Sequence, residues 1–130
     1  MQWQKPNEGW IKINTDAAFD PGTCTGSAGV VIRNHDGLVQ AAAARWFDDT
    51  PDVLTAEAMA AKEGLELAVE CGLFSRSMVC FRVDWVCREA NSVAHRCAKM
   101  VTATERSQFW LDYIPEWLSG IAASDLYSCY

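Results

Sequence analysis

Four side chains in this chain have the types that handle water and phosphate at a divalent cation: Asp16, Glu57, Asp84 and His95. Asp16 falls in an alternating apolar–polar run and Asp84 late in a second one. Glu57 lies near the start of a run of helix formers, and His95 near the start of another. Strand and helix ends of an α/β sheet commonly converge on one site, so these four are candidates to meet. Clustered carboxylates hold hard divalent cations through oxygen, and two such ions a few ångströms apart activate water and stabilise the leaving oxygen in phosphodiester cleavage. The same residues also suit a solvated surface, where lone carboxylates usually stand.

The elements that must position them are readable from periodicity. Residues 10–19 alternate Ile11, Ile13 and Thr15 with Lys12, Asn14 and Asp16, which predicts a strand with Asp16 near its end. Residues 20–27 have turn chemistry, residues 28–33 supply a β-branched run that predicts a second, antiparallel strand, and Asn34-His35-Asp36-Gly37 makes a second tight turn with His35 as a turn residue. Residues 38–46 return as a third strand, although the alanines at 41–44 weaken β-propensity. The result is an antiparallel meander.

An acidic loop at 48–52, expected to be solvated, precedes a helix over about 54–71 that Gly72 stops. Ala58, Ala61, Leu65 and Ala68 form one stripe of that helix, suited to lie against a sheet, with Glu57 in the first turn beside the positive end of the dipole. Residues 78–86 read as one strand with one apolar face. Asn91 or Ser92 then caps a second helix to about Val101, with Ala94, Cys97, Ala98 and Val101 inward and Arg96 and Lys99 outward. Residues 1–9 read as a lead. Residues 107–130 read as a tail holding Trp110 and a short helix begun by Pro115. Trp10, Trp85, Trp110 and Trp117 are expected to complete the core.

Composition narrows the class. At 130 residues, half of them hydrophobic, the chain has the size and balance of one globular domain. No run approaches the roughly 20 apolar residues of a membrane helix, so no membrane partner is expected. The N-terminal residues show no secretory pattern, which sets the expectation of an intracellular protein of nucleus, cytoplasm or organelle, with its six cysteines as free thiols. Cys87, His95 and Cys97 have no zinc-site spacing. The net charge of -6 disfavours nonspecific phosphate binding, yet residues 76–106 carry 6 basic and 3 acidic side chains. Within that block Arg82, Arg88, Arg96 and Lys99 are the candidates to contact nucleic acid, the alternative being a solvated helix face.

A resemblance adds to this. Trp3, Pro6 and Gly9, the NTDAAF strand around Asp16, residues 29–33, Gly37, the AEAMAAKEGLELA helix around Glu57, the REANSVAH segment ending at His95, then Trp110, Pro115 and Asp125, stand in an order that resembles plant RNase H-like domains. These are type 1 ribonuclease H modules related to reverse-transcriptase-associated sequences. The resemblance touches nearly the whole chain and is carried by the joint order of the pieces.

It implies an α/β RNase H-like fold: a mixed sheet, three antiparallel strands leading into parallel ones, flanked by helices. The implied activity is metal-dependent endonucleolytic cleavage of the RNA strand of an RNA/DNA hybrid, by Mg²⁺ or Mn²⁺ in a two-metal site; a monomer is the separate expectation for the chain. Asp16 resembles the carboxylate that bridges both ions, and Glu57 the helix carboxylate that ligates one ion near the RNA 2′-hydroxyl. His95 falls where many relatives carry Asp and plant copies often carry His; imidazole there suits Mn²⁺ better than Mg²⁺. Ala17 departs from the glycine frequent after the first Asp.

A larger departure lies between the two helices. The family places a carboxylate-bearing strand, a helix and another strand there, whereas this chain has only residues 74–87, too few for a unit of about 30 residues or more. The fold is therefore expected to be truncated. The strand at 78–86 is then either the family's last strand, leaving no third metal ligand, or one that takes the vacant place beside the first strand and brings Asp84 toward Asp16. Three functions follow: a hybrid ribonuclease impaired by the loss, a relative that binds nucleic acid without cutting it, and a protein-interaction module.

Overall fold

The computed structural model describes residues 3–73 and 91–127. In them the chain runs β1 (Lys12–Asp20), β2 (Thr25–Arg33), β3 (Val39–Phe47), α1 (Val53–Glu70), α2 (Ser92–Ala98), β4 (Ser107–Trp110) and α3 (Glu116–Tyr127). The strands form one sheet in the order β1-β2-β3-β4 with antiparallel neighbours throughout. The expected meander is present. The expected parallel strand, at 78–86, lies outside the described residues together with Trp85 and the whole stretch read as truncated.

Side-chain alternation sorts the sheet into two faces. Val30, Ile32, Ala41 and Ala43 face α1, packing with Leu67 and Ala68. Val31 and Ala42 face the other way and pack with Val93, Ala94 and Cys97 of α2 and Leu118 and Ala122 of α3. With both faces covered, β2 is buried from Gly26 to Arg33 and needs no polar alternation. The same cover explains the alanines of β3. Each is buried to 4% exposure or less, and their small side chains let helices approach from both sides, which outweighs weak intrinsic propensity.

Helix α1 is rotated from the orientation expected. Of Ala58, Ala61, Leu65 and Ala68 only Ala68 is buried; the sheet-facing side is Ala56, Ala60, Gly64, Leu67 and Ala68. Both sides of this helix are apolar, and Gly64 decides between them. A Cβ there would lie 2.9 Å from Cγ2 of both Ile13 and Thr15, so only the glycine side can approach β1 this closely. Leu54, Leu65 and Val69 are left exposed.

The helix starts one residue earlier than expected, at Val53. Asp52 is its N-cap, its carboxylate accepting from the Thr55 amide at 2.7 Å. Glu57 consequently stands beyond the first turn rather than in it. The 48–52 loop is not simply solvated: besides the Asp52 cap, Asp48 accepts from Arg106 at 2.6 Å. Each contact holds its carboxyl below the usual range, chiefly by the Arg106 hydrogen bond at Asp48 and the Thr55 backbone N–H at Asp52.

Residues 107–130, read as a tail, hold the fourth strand and third helix. β4 pairs with β3 from Ala42↔Trp110 to Arg45↔Ser107. Trp110 and Trp117 meet edge to face at 5.4 Å against the α2–α3 core. Trp10 does not complete the core, being 43% exposed. Trp3 does so instead, at 3% exposure, in a stretch read as a lead.

Candidate active site at the β1–α2 junction

The site is built by one register and one close approach. Asp16 sits in the middle of β1, not near its end, and pairs with Gly29 of β2. Residues directly opposite in a ladder share a face, so Asp16 and Gly29 both look toward α2. At Gly29 a Cβ would come within 2.0 Å of the Ala94 carbonyl oxygen and 2.4 Å of the Ala98 nitrogen. The backbone of α2 rests on the sheet where no side chain intervenes.

That seating brings His95 over Asp16, with Nδ1 and Oδ2 2.8 Å apart. When Nδ1 carries the proton it donates to the carboxylate, leaving Nε2 as an acceptor. Both side chains are shielded yet reachable, at 28% exposure for His95 and 16% for Asp16. Such a pair can orient an imidazole or present one nitrogen and one oxygen to a cation. Asn91, four residues before His95, adds a second link: its Nδ2 donates to the backbone carbonyl of Thr15 at 2.8 Å.

The other candidates are distributed differently. Glu57 is exposed on α1, the helix that covers the opposite face of the sheet. Arg96 and Lys99 are exposed at the end of α2, as expected, while Val101 remains buried although the helix stops at Ala98. Arg82, Asp84 and Arg88 lie outside the described residues. Among the described residues no three His, Cys, Asp or Glu side chains are grouped to hold a metal ion. A hard divalent cation takes roughly six oxygen-type ligands, and Asp16 with His95 offers two donors, one of them nitrogen. The described residues alone therefore do not complete a two-ion centre.

Cys97 is close to His95 in sequence but chemically silent. Burial pushes its thiol up to about 12, so no thiolate forms near neutrality. Cys24 and Cys71 are free as well.

Sequence reasoning missed a polar cluster beside this site. Trp3 donates its indole N–H to Asn14 Oδ1 at 2.7 Å, two residues before Asp16 on the same face of β1. The fully buried Arg33 stacks on the Trp3 ring, 3.9 Å from its centroid, and donates to the carbonyls of Gly37 and Ala122. The sequence signal was a guanidinium ending the otherwise apolar run Val30-Val31-Ile32-Arg33: a charge continuing a buried strand must find acceptors. Here they come from a turn, from α3 and from an aromatic face.

A sequence model of the family described as reverse transcriptase-like matches residues 14–79, which includes Asp16 and Glu57 but not His95. No curated protein and no solved structure matches the chain.

Proposed function

The chain belongs to the reverse transcriptase-like family, an RNase H-like group whose model spans half of it, and from that premise we propose a nucleic-acid-binding domain of the RNA/DNA hybrid ribonuclease class with impaired hydrolysis. The observation that carries the proposal is the Asp16–His95 contact at 2.8 Å. The carboxylate that the resemblance assigns to the metal centre is on the described fold, half-shielded, and joined to the residue assigned beside it.

Besides the proposed loss of the third carboxylate strand, two features of the same geometry support impairment. His95 occupies one oxygen of Asp16, and Glu57 stands exposed on the helix of the other face. The site proposed for Mg²⁺ or Mn²⁺ comprises Asp16 and His95 with Asp84, which lies outside the described residues, as its further carboxylate; Glu57, which the resemblance also assigns to it, stands on the helix of the other face. An imidazole donor favours Mn²⁺ over Mg²⁺ there. No helix among the described residues is long and apolar enough to cross a membrane. Arg96 of α2 and Lys99 at its C-terminal end, both exposed, are the proposed phosphate contacts, joined by Arg82 and Arg88.

A labelled RNA/DNA hybrid incubated with the full chain tests this. The expected result is slow cleavage, faster in Mn²⁺ than in Mg²⁺ and lost in Asp16→Asn, with hybrid binding that weakens as salt rises. Binding without cleavage above the Asp16→Asn control selects the second reading, a non-cutting relative, which the engagement of Asp16 by His95 also favours. Absence of salt-sensitive binding overturns both.

A further inference from the structure

The N-terminus of α2 contains a polar residue whose use is not the ordinary one. Asn91 occupies the N-cap position, where an Asn side chain normally accepts from a backbone amide of the first turn, yet it makes no such hydrogen bond. It is buried, with 9% exposure, and spends its amide on a strand 76 residues away, donating from Nδ2 to the Thr15 carbonyl at 2.8 Å. Its Oδ1 is buried with no hydrogen-bond partner among the described residues. An isolated helix would gain more by turning that oxygen to its own amides. Holding the amide the other way round leaves an acceptor orphaned, a cost that the contact with β1 must offset.

The Thr15 carbonyl belongs to the peptide unit that joins Thr15 to Asp16. Asn91 and His95 are one helical turn apart, and the His95 amide donates to the Asn91 carbonyl at 3.1 Å. One face of α2 thus grips β1 twice in succession: Asn91 holds the backbone leading into Asp16, and His95 holds the Asp16 carboxylate. With only one of these links the carboxylate and imidazole would still be neighbours, but the strand could slide or twist beneath the helix.

We infer that Asn91 is a positioning residue, its carboxamide fixing the Thr15–Asp16 peptide so that the Asp16 carboxylate meets His95. The relevance to hydrolysis rests on the proposed function, whereas the tether does not, and the test reads the tether directly. In ¹⁵N-labelled full-length protein, the Asn91 side-chain amide protons are expected to exchange slowly. The His95 imidazole is expected in the Nδ1–H tautomer with its proton protected. Asn91→Ala and Asn91→Asp, the latter isosteric but without the donor, are expected to speed exchange of the His95 Nδ1 proton about tenfold, the weight of one lost hydrogen bond. Asn91→Gln, which keeps the donor, is expected to restore part of the protection. Free exchange of both Asn91 amide protons in the wild-type protein overturns the inference whether or not any variant folds. So does an unchanged His95 signal in folded Asn91→Ala. Hybrid cleavage by the wild-type chain is scored separately, so loss of the ribonuclease reading leaves the tether result standing.

Discussion

The two faces of the sheet are held by different physics. On the α1 face, Gly64 lets the helix backbone settle onto the methyl groups of Ile13 and Thr15, and that contact is apolar. On the α2 face, Gly29 meets helix backbone, and around it stand polar links of fixed geometry, Asn91 to Thr15 and His95 to Asp16. The first face carries a polar tie at its margin, Arg45 to Glu63 at 2.7 Å, and under Gly64 it tolerates adjustment because methyl groups can shift by tenths of an ångström. The second cannot, since moving the helix off Gly29 moves both polar links with it. The sheet has one face for stability and one that also sets a constellation.

The sharpest way to break the comparison is to add one methyl group to each face. Gly29→Ala is expected to have the largest effect, about 3 kcal/mol or more, because backbone at 2.0 Å cannot yield without displacing α2; chemical denaturation measures it, and the His95–Asp16 contact should be lost in any folded fraction. Gly64→Ala is expected to cost less, about 1 kcal/mol net, since strain against two methyl groups is partly offset by the better helix propensity of alanine. Equal costs for the two would erase the distinction.

Removing the imidazole probes the polar face alone. His95→Ala should lower stability by about 1 kcal/mol or less, as expected for one partly shielded hydrogen bond, while leaving denaturant m-values unchanged. The smallest effect belongs to the Asp52 cap. Its folded pKa lies below the ordinary value of 3.8, so its contribution is fully present above that value and fades as pH falls through the depressed one. Asp52→Asn keeps the cap without the charge, and should flatten the acid limb of a Tm-against-pH profile while leaving Tm at pH 7 nearly unchanged.

Period-two alternation made β1 legible, and the β-branched run did the same for β2. β3 was legible as a return strand after its turn, although its alanines argued against it, because they carry meaning only through the helices on either side. β4 left no trace in the sequence: four residues, Ser107–Trp110, become a strand only through pairing with β3. The rotation of α1 was equally hidden, since both of its sides are apolar and only the fit of Gly64 over Ile13 and Thr15 chooses between them. At the site, Asp16 and His95 are 79 positions apart. Spacing alone does not join them; the resemblance named both, and the seating on Gly29 brings them together. The Trp3–Arg33 stack went unread because an N-terminal aromatic carries no periodic signal of its own.

The seat at Gly29 also separates two kinds of freedom for this chain's descendants. Position 29 is a hard stop that sets how far the helix stands off, so its side chain has almost no latitude. Position 95 inherits a fixed approach to residue 16, so the side chain placed there decides what Asp16 meets while the frame stays put.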